Sequence, residues 1–210
     1  MILKNYYWYF QSALSSKFCE DLIKHAKNKD LKRGLTGQFT AKQEEGKKLT
    51  KKDLLDLKKK RDSNVVWLND PWIYNEINPY IHEANKQSGW NFNWDWSESC
   101  QFTKYSKNQF YDWHCDSYNE PFDSKDKNFH GKIRKLSVTC SLSDPKDYSG
   151  GELEFQFRDN QDPTETRLCK EILPKGSIVV FPSHVWHRVR PVTKGIRYSL
   201  VIWNLGFPFK

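Results

Sequence analysis

The sequence has no hydrophobic run long enough to cross a membrane, and its start, MILKNYYWYF, lacks the charged-then-apolar pattern of a secretion signal. Its five cysteines are odd in number and no two are spaced as C-x-x-C, which argues against a disulfide framework and a zinc ribbon. No internal repeat is visible. These absences predict a cytoplasmic protein of a reducing compartment, without a membrane partner, whose cysteines are small buried side chains.

The composition favours strands over helices. Hydrophobic residues make up only 37% of the 210 residues, but aromatic residues reach 15%. Rings and β-branched side chains pack well on pleated sheets. The length fits one domain with a sizeable core. The formal net charge of +8 permits an acidic or nucleic-acid partner without identifying one.

Residues 1–90 have a mixed pattern. An aromatic run at 2–10 predicts a strand, and Ser15 or Ser16 can cap a helix with apolar residues at helical spacing. NVVWL at 64–68 is a second predicted strand, and Asp70-Pro71 marks the start of a second helix. We expect these helices to pack on a sheet formed by the rest of the chain.

A basic segment at 42–61 interrupts this region. It contains nine Lys or Arg residues and only a thin stripe of leucines. Such a segment is most simply a solvated helix or a mobile loop. The alternative is a basic flap beside an active site, or a surface for an acidic partner.

After Gly89 the pattern becomes one of short strands. WNFNWDW at 90–96 alternates aromatic and polar residues, which is a period of two. Turn-forming clusters separate the runs that follow, and no helical pattern lies between them. A mostly β sandwich or jelly roll with supporting helices is therefore predicted. The predicted strands are 98–105, 111–116, 134–142, 152–158, 165–172, 177–182, 185–190 and 196–203.

YDWHCDSY at 111–118 supplies the first candidate site residues. His114 and Asp116 are two apart on a predicted strand and would therefore face the same side. An imidazole beside a carboxylate is two-thirds of the 2-His-1-carboxylate triad that binds non-haem Fe(II). The H-x-D pattern is weak evidence by itself.

The third ligand must come from elsewhere, and the candidates are His184 and His187. A hairpin around Val192 would make His187 and Arg197 cross-strand partners facing one cavity, which favours His187. The structural alternative for His187 is a hydrogen-bonded histidine in the core or at its rim, and the alternative for Arg197 is a surface ion pair. An inward-pointing Arg197 would need an anion, because an unpaired buried charge is costly.

A cavity with Fe(II) at one end and an arginine at the other fits a short dicarboxylate. 2-Oxoglutarate can chelate iron through its 1-carboxylate and keto oxygen while its 5-carboxylate reaches Arg197. Tyr105 and Thr139 are further candidate hydrogen-bond donors to this co-substrate. Tyr105 has the alternative of simply packing at a strand end.

Three stretches resemble the Fe(II)/2-oxoglutarate-dependent dioxygenases of the prolyl-4-hydroxylase-like group, close to the PKHD-type hydroxylases. They are Tyr105 with Tyr111-x-x-His114-x-Asp116, then LSVTCSLSDPKDYSGGELEF, then KGSIVVFPSHVWHRVRPVTKGIRYSLVIW. The resemblance implies a double-stranded β-helix, a cupin-like jelly roll, over 91–205. It makes 1–210 a single domain in which 1–90 is a support region, and it leaves 42–61 without a counterpart.

The same resemblance implies His114, Asp116 and His187 as iron ligands and Arg197 as the 2-oxoglutarate anchor. It implies Fe(II), 2-oxoglutarate and O2 as requirements, with ascorbate as a candidate reductant. The expected reaction is hydroxylation of an unactivated C–H, with peptidyl proline in a protein or peptide as the leading substrate and succinate and CO2 released. Open alternatives are a non-prolyl or nucleic-acid substrate, a zinc hydrolase, and a non-catalytic jelly-roll binding module.

Overall fold

The structure is a computed structural model and describes residues 3–117, 120–157 and 165–209. The predicted turn at 159–163 and the end of the predicted strand 152–158 lie outside these residues. Helices within the described part are α1 Ser16–Lys27, α2 Gly37–Glu44, α3 Lys51–Lys60 and α4 Pro71–Gln87, with a 3₁₀ turn at Lys170–Ile172. The strands are β1 Trp8–Phe10, β2 Lys32–Arg33, β3 Arg61–Asp62, β4 Asn64–Leu68, β5 Trp96–Ser97, β6 Cys100–Tyr105, β7 Phe110–His114, β8 Ile133–Ser141, β9 Tyr148–Gly150, β10 Leu153–Gln156, β11 Thr166–Leu168, β12 Ile178–Pro182, β13 Trp186–Val189, β14 Val192–Gly195 and β15 Arg197–Gly206.

Two antiparallel sheets face each other. The major sheet has the order β1-β12-β8-β15-β6-β4-β2, with β5 also on β15, and the minor sheet has the order β11-β10-β13-β7-β3. Phe155 of the minor sheet meets Phe181 of the major sheet edge-on, with ring centroids 5.1 Å apart. The prediction of a mostly β jelly roll with supporting helices is confirmed.

Alternation along the central strands separates a helix-covered face from an inner face. Leu136, Val138 and Cys140 of β8 are fully buried on one side. On that side Lys27 of α1 lies 4.8 Å above the Tyr198 ring of β15. The other side of β8 carries Ser137, Thr139 and Ser141, which are also buried. Hydroxyl groups therefore line the space between the two sheets, and that space is suited to polar ligands.

The predicted hairpin around Val192 is wrong. His187 lies on β13 in the minor sheet, whereas Arg197 lies on β15 in the major sheet, opposite Tyr105. The expected turn at 192–195 is instead the strand β14, which pairs with β9. Because the chain crosses between sheets here, His187 and Arg197 approach the space between the sheets from opposite sides.

The alternating run at 90–96 is strand only at its end, where β5 begins at Trp96. Asn91 has a φ of 51°, in the left-handed region, which interrupts an extended conformation. Local backbone conformation therefore overrides the period-two pattern.

The basic segment 42–61 is largely helical. Thr50 and Asp53 form a reciprocal capping box at the start of α3. Leu57 is fully buried, whereas Leu55 is exposed. Arg61, the last residue of the segment, begins β3 and pairs with Tyr111 of β7. The segment thus ends against the strand that carries His114.

Across the described part of the chain, no helix combines the length and the apolar character needed to cross a lipid bilayer.

Candidate metal centre and co-substrate cavity

Three side chains lie close together where strand β7 of the minor sheet ends. His114 ends β7 and lies opposite His187 of β13. Asp116 follows β7 rather than belonging to it, so the expectation that both residues of H-x-D share one strand is wrong. The Asp116 backbone N–H donates to the Ser183 carbonyl oxygen at 2.8 Å, which turns the chain so that the carboxylate reaches both imidazoles.

The ligand atoms of His114, Asp116 and His187 all lie within 4.8 Å of one another. His114 Nε2 is 3.8 Å from Asp116 Oδ1, and His187 Nε2 is 3.6 Å from Asp116 Oδ2. His184, the other candidate, is exposed in the turn after β12. Within the described residues this is the single group of three or more such side chains able to hold a metal ion.

Backbone carbonyls fix the tautomer of both histidines. His114 Nδ1 is 2.7 Å from the Asp112 oxygen, and His187 Nδ1 is 3.0 Å from the Val185 oxygen. A carbonyl oxygen only accepts, so each Nδ1 carries the proton and each Nε2 keeps its lone pair. Metal-ligating histidines are commonly held in this way.

The protonation states also suit a cation. Burial, reinforced by His187, lowers the pKa of His114 to about 3, so its imidazole is neutral at ordinary pH. Burial acts to raise the pKa of Asp116, but His187, His114, Arg134 and the Ser137 hydroxyl together hold it below its usual value. The Ser137 hydroxyl donates to Asp116 Oδ2 at 2.7 Å. A neutral His114 imidazole and an ionised Asp116 carboxylate result.

Arg197 is a buried cation with little to satisfy it. Its side chain is 2% exposed, and one guanidinium nitrogen donates to the Ser199 hydroxyl at 3.2 Å. Within residues 3–117, 120–157 and 165–209 it has no carboxylate partner. A buried, unpaired guanidinium is costly, so this wall of the cavity suits an anionic ligand.

The two weaker candidates have different surroundings. Tyr105 pairs with Arg197 across β6 and β15, and the guanidinium lies 5.6 Å from its ring centroid. Burial raises the pKa of Tyr105, so its phenol stays protonated and can donate. Tyr105 also packs against Val189 and Val192, as the packing alternative requires. Thr139 lies on the inner face of β8, opposite Val201.

Sequence reasoning gave no site role to four residues that the structure places here. Ser137 was signalled by the alternation of small polar and apolar residues in LSVTCSLS, which placed it on the face of Thr139. Trp203 shares the face of Arg197 on β15 and lies opposite Ser137. Tyr111 stacks on His114, with ring centroids 3.5 Å apart. Arg61 had no local signal, because its contacts come from distant segments.

Residues 100–204 match the sequence profile of the 2OG-Fe(II) oxygenase superfamily. This match spans half of the chain and contains all six candidate site residues. The chain belongs to the 2OG-Fe(II) oxygenase superfamily. Membership implies Fe(II), 2-oxoglutarate and O2. The donor set of two imidazoles and one carboxylate fits Fe(II). Arg197, which has no carboxylate partner among the described residues, fits a carboxylate of the co-substrate.

The sequence is similar to two PKHD-type hydroxylases. It is 42% identical over 93 residues to one from Synechococcus sp. strain CC9902, covering 44% of this chain and 35% of that protein. It is 35% identical over 104 residues to one from Pseudoalteromonas atlantica, covering 49% of this chain and 41% of that protein. The matched part is therefore well under half the length of these relatives.

Solved structures share the fold over nearly the whole chain. A viral collagen prolyl hydroxylase from Paramecium bursaria Chlorella virus-1, in its 2-oxoglutarate complex, has a TM-score of 0.62 at 20% identity, with 97% of each chain covered. A Trichoplax adhaerens prolyl hydroxylase, in complex with a hypoxia inducible factor peptide fragment, has a TM-score of 0.62 at 14% identity. That match covers 96% of this chain and 84% of the other.

Proposed function

We propose that this protein is an Fe(II)- and 2-oxoglutarate-dependent dioxygenase that hydroxylates a peptide, with a prolyl residue as the leading target. One observation carries the proposal. The space between the sheets holds both a His-Asp-His group and a buried guanidinium that lacks a carboxylate partner among the described residues.

Each site residue has a role in this proposal. His114, Asp116 and His187 hold Fe(II), and Arg197 pairs with the 5-carboxylate of 2-oxoglutarate. Tyr105 and Thr139 donate further hydrogen bonds to the co-substrate. When bound, the iron and 2-oxoglutarate supply the activation of O2. One oxygen atom enters a substrate C–H to give C–OH, and the other enters succinate as CO2 is released.

The inner face beside Asp116 supports a peptide as substrate. Trp203 is 6% exposed, and its indole N–H has no acceptor within the described residues. Trp67, which is half exposed, lies 5.9 Å from Trp203 between ring centroids. The Arg134 guanidinium lies 4.1 Å from the Trp203 centroid and pairs with Glu98. Aromatic rings beside an indole N–H that lacks an acceptor suit an apolar residue flanked by peptide carbonyls.

The prolyl preference rests on the structural relatives. The viral protein is named as a collagen prolyl hydroxylase, and the Trichoplax protein holds a peptide fragment. Proline presents a compact apolar ring, of the kind that packs well against aromatic side chains. A cytoplasmic location stays a prediction from the sequence.

A direct assay tests the function. The Fe(II)-loaded protein is supplied with 2-oxoglutarate, O2 and ascorbate, the last proposed as the reductant that keeps iron ferrous. It is incubated with libraries of proline-containing peptides, proline-free peptides and oligonucleotides. We expect succinate formation that depends on O2, and a mass gain of one oxygen atom in a proline-containing peptide.

Three results would contradict the proposal in different ways. Oxygen insertion confined to proline-free peptides or oligonucleotides would remove the prolyl substrate but keep the reaction. Hydrolysis supported by Zn²⁺ without 2-oxoglutarate would indicate a zinc hydrolase. Failure of the Fe(II)-loaded protein to bind 2-oxoglutarate would indicate a binding module.

Gly151 gives a separate test of the co-substrate cavity. A Cβ at this position would lie 3.0 Å from Arg197 Cδ and 2.9 Å from Val192 Cγ2, and the residue has a φ of +69°. We expect Gly151→Ala to displace Arg197 and raise the 2-oxoglutarate concentration needed for half-maximal turnover. The left-handed backbone should also cost about 1–2 kcal/mol of stability.

Gly89→Ala is the matched control, because Gly89 has a φ of +76° and no atom within 4 Å of an added Cβ. It should show the loss of stability by thermal melting while keeping the 2-oxoglutarate requirement. Equal requirements in the two variants would mean that Gly151 does not make room for a co-substrate anchor.

A further inference from the structure

Arg61 is buried and forms hydrogen bonds to residues of several different segments. It is 4% exposed, and its guanidinium donates to Ser63 Oγ at 2.8 Å, the Leu35 oxygen at 2.9 Å and Gln101 Oε1 at 2.6 Å. A Cβ on Gly34 would lie 2.6 Å from Arg61 Nε, so the absence of a side chain there makes room for Arg61. All three acceptors are neutral. Like Arg197, Arg61 therefore has no carboxylate partner within the described residues.

The Arg61 guanidinium also stacks on an aromatic ring that reaches the metal centre. It lies 4.5 Å from the Tyr111 ring centroid. The Tyr111 ring is in turn nearly parallel to the His114 ring, with an interplanar angle of 12° and centroids 3.5 Å apart. At these distances the Arg61 guanidinium and the His114 imidazole would overlap if both lay on the same face of the Tyr111 ring. The Tyr111 ring therefore lies between them. Arg61, Tyr111 and His114 form a continuous stack.

The stack adds a restraint that the hydrogen bonds of His114 do not supply. The bond from Nδ1 to the Asp112 oxygen fixes the direction of the ring but leaves its tilt adjustable. Contact with the flat face of Tyr111 fixes the tilt, and the cation–π contact with Arg61 holds Tyr111 in place. Because Arg61 also bonds to Gln101 of the major sheet, it fixes this edge of the minor sheet against the other wall.

We propose that Arg61 is a positioning residue of the metal centre that acts through Tyr111 on His114. The inference rests on the proposed function, because it takes His114 as a metal ligand. It also gives the segment between β2 and β3 a role. That segment contributes the Leu35 carbonyl and leads directly into Arg61, the first residue of β3, so its placement is coupled to the orientation of a ligand.

Co(II) binding to the purified protein, followed by its visible absorption bands, tests the role without measuring turnover. We expect Arg61→Met to weaken Co(II) binding by about 10-fold and to change the band shape, as loss of residues that orient ligands typically does. Arg61→Lys, which keeps the charge but loses the planar stack, should fall between Arg61→Met and the wild type. The half-saturating concentration of 2-oxoglutarate at saturating metal should change much less than the metal affinity.

Arg188→Lys is the matched control. Arg188 of β13 lies 4.6 Å from the Trp113 ring of β7 and donates to Glu154 at 2.6 Å, so it makes the same kind of cation–π contact with the strand that carries His114. Arg188 follows His187 directly on β13, and successive side chains of a strand point to opposite faces. Its side chain therefore faces away from the metal centre. This variant should bind Co(II) as the wild type does.

Substitutions of Tyr111 keep the test decisive if the Arg61 variants do not fold. Tyr111→Leu should lose Co(II) affinity to a similar extent, whereas Tyr111→Phe should retain most of it. In the double variant Arg61→Met/Tyr111→Leu the losses should not add, because both substitutions break the same stack.

The outcomes separate this inference from the proposed function. If the wild type binds Co(II) and either a folded Arg61→Met or a folded Tyr111→Leu gives the same affinity and bands, the positioning role is wrong. Additive losses would mean that Arg61 does not act through Tyr111. If the wild type binds neither Co(II) nor Fe(II), the metal centre itself is wrong, and the positioning role falls with it.

Discussion

Replacing Asp116 by alanine is expected to lower Fe(II) affinity by at least about 100-fold and to remove detectable 2-oxoglutarate turnover. Loss of a residue that merely orients a ligand costs about 10- to 100-fold, so loss of the only anionic ligand should cost at least as much. Asp116 is 6% exposed, and its two oxygens lie 3.8 and 3.6 Å from the two Nε2 atoms. Fe(II) titration and succinate release measure the two effects.

The control for this experiment lies on the same segment. Asp112 has an exposed side chain, and its contribution to the site is the backbone oxygen that accepts from His114. Asp112→Ala keeps that oxygen and should retain both metal binding and turnover. His114→Ala should resemble Asp116→Ala. Full activity in either ligand variant would show that the metal lies elsewhere.

Replacing Arg197 by alanine is expected to raise the 2-oxoglutarate concentration for half-maximal turnover by about 30-fold or more. Truncating one partner of a buried charge pair costs about 2–5 kcal/mol, and 2 kcal/mol corresponds to about 30-fold. Turnover at saturating co-substrate should fall much less, because the metal ligands are untouched. Initial rates of succinate formation across a range of 2-oxoglutarate concentrations measure both quantities.

Two comparisons make the Arg197 result specific. Arg197→Lys keeps the positive charge but loses the two-pronged geometry, so its requirement should lie between those of the wild type and Arg197→Ala. Arg190 is an exposed arginine on the outer surface, 3.7 Å from Glu154, and Arg190→Ala should leave the requirement unchanged. An unchanged requirement in Arg197→Ala would remove Arg197 from the co-substrate cavity.

The stability of the metal-free protein separates loss of chemistry from loss of folding. Arg197 is buried without a carboxylate partner in the described residues, so its removal relieves an uncompensated charge. The melting temperature should therefore fall less for Arg197→Ala than for a typical large-to-small substitution in the core. A strong fall would mean that Arg197 is needed for the folding of the protein.

Strand identity was predictable where alternation was regular. The pattern LSVTCSLS predicted β8 because apolar and small polar residues alternate, and the same alternation places its hydroxyls on the cavity face. The run WNFNWDW had an equally clear period but is strand only at its last residue, because Asn91 is left-handed. Hydrophobic period measures which side chains are buried and does not exclude a local break in the backbone.

The choice of site residues was also largely available from the sequence. His114, Asp116, His187 and Arg197 were selected from residue chemistry and spacing, and the structure brings the first three within 4.8 Å. The reasoning that joined His187 to Arg197 was wrong, because their strands belong to different sheets. Both residues face the space between the sheets for a different reason. His187 is a buried position of the alternating strand β13, and Arg197 shares a face of β15 with Ser199, which lies opposite Ser141 of the inner face of β8.

The sequence by itself determined the residues of the candidate site: an H-x-D, a later histidine and an arginine, carried on or next to strands whose polar residues share a face. Those features are local, because side-chain type and a period of two depend only on neighbouring residues. The tertiary structure alone decided how they meet. It assigned His187 and Arg197 to opposite walls, turned Asp116 into place through Ser183, and brought Arg61 onto Tyr111 from a segment 50 residues earlier in the chain. Such contacts join positions far apart in sequence, so no local pattern encodes them.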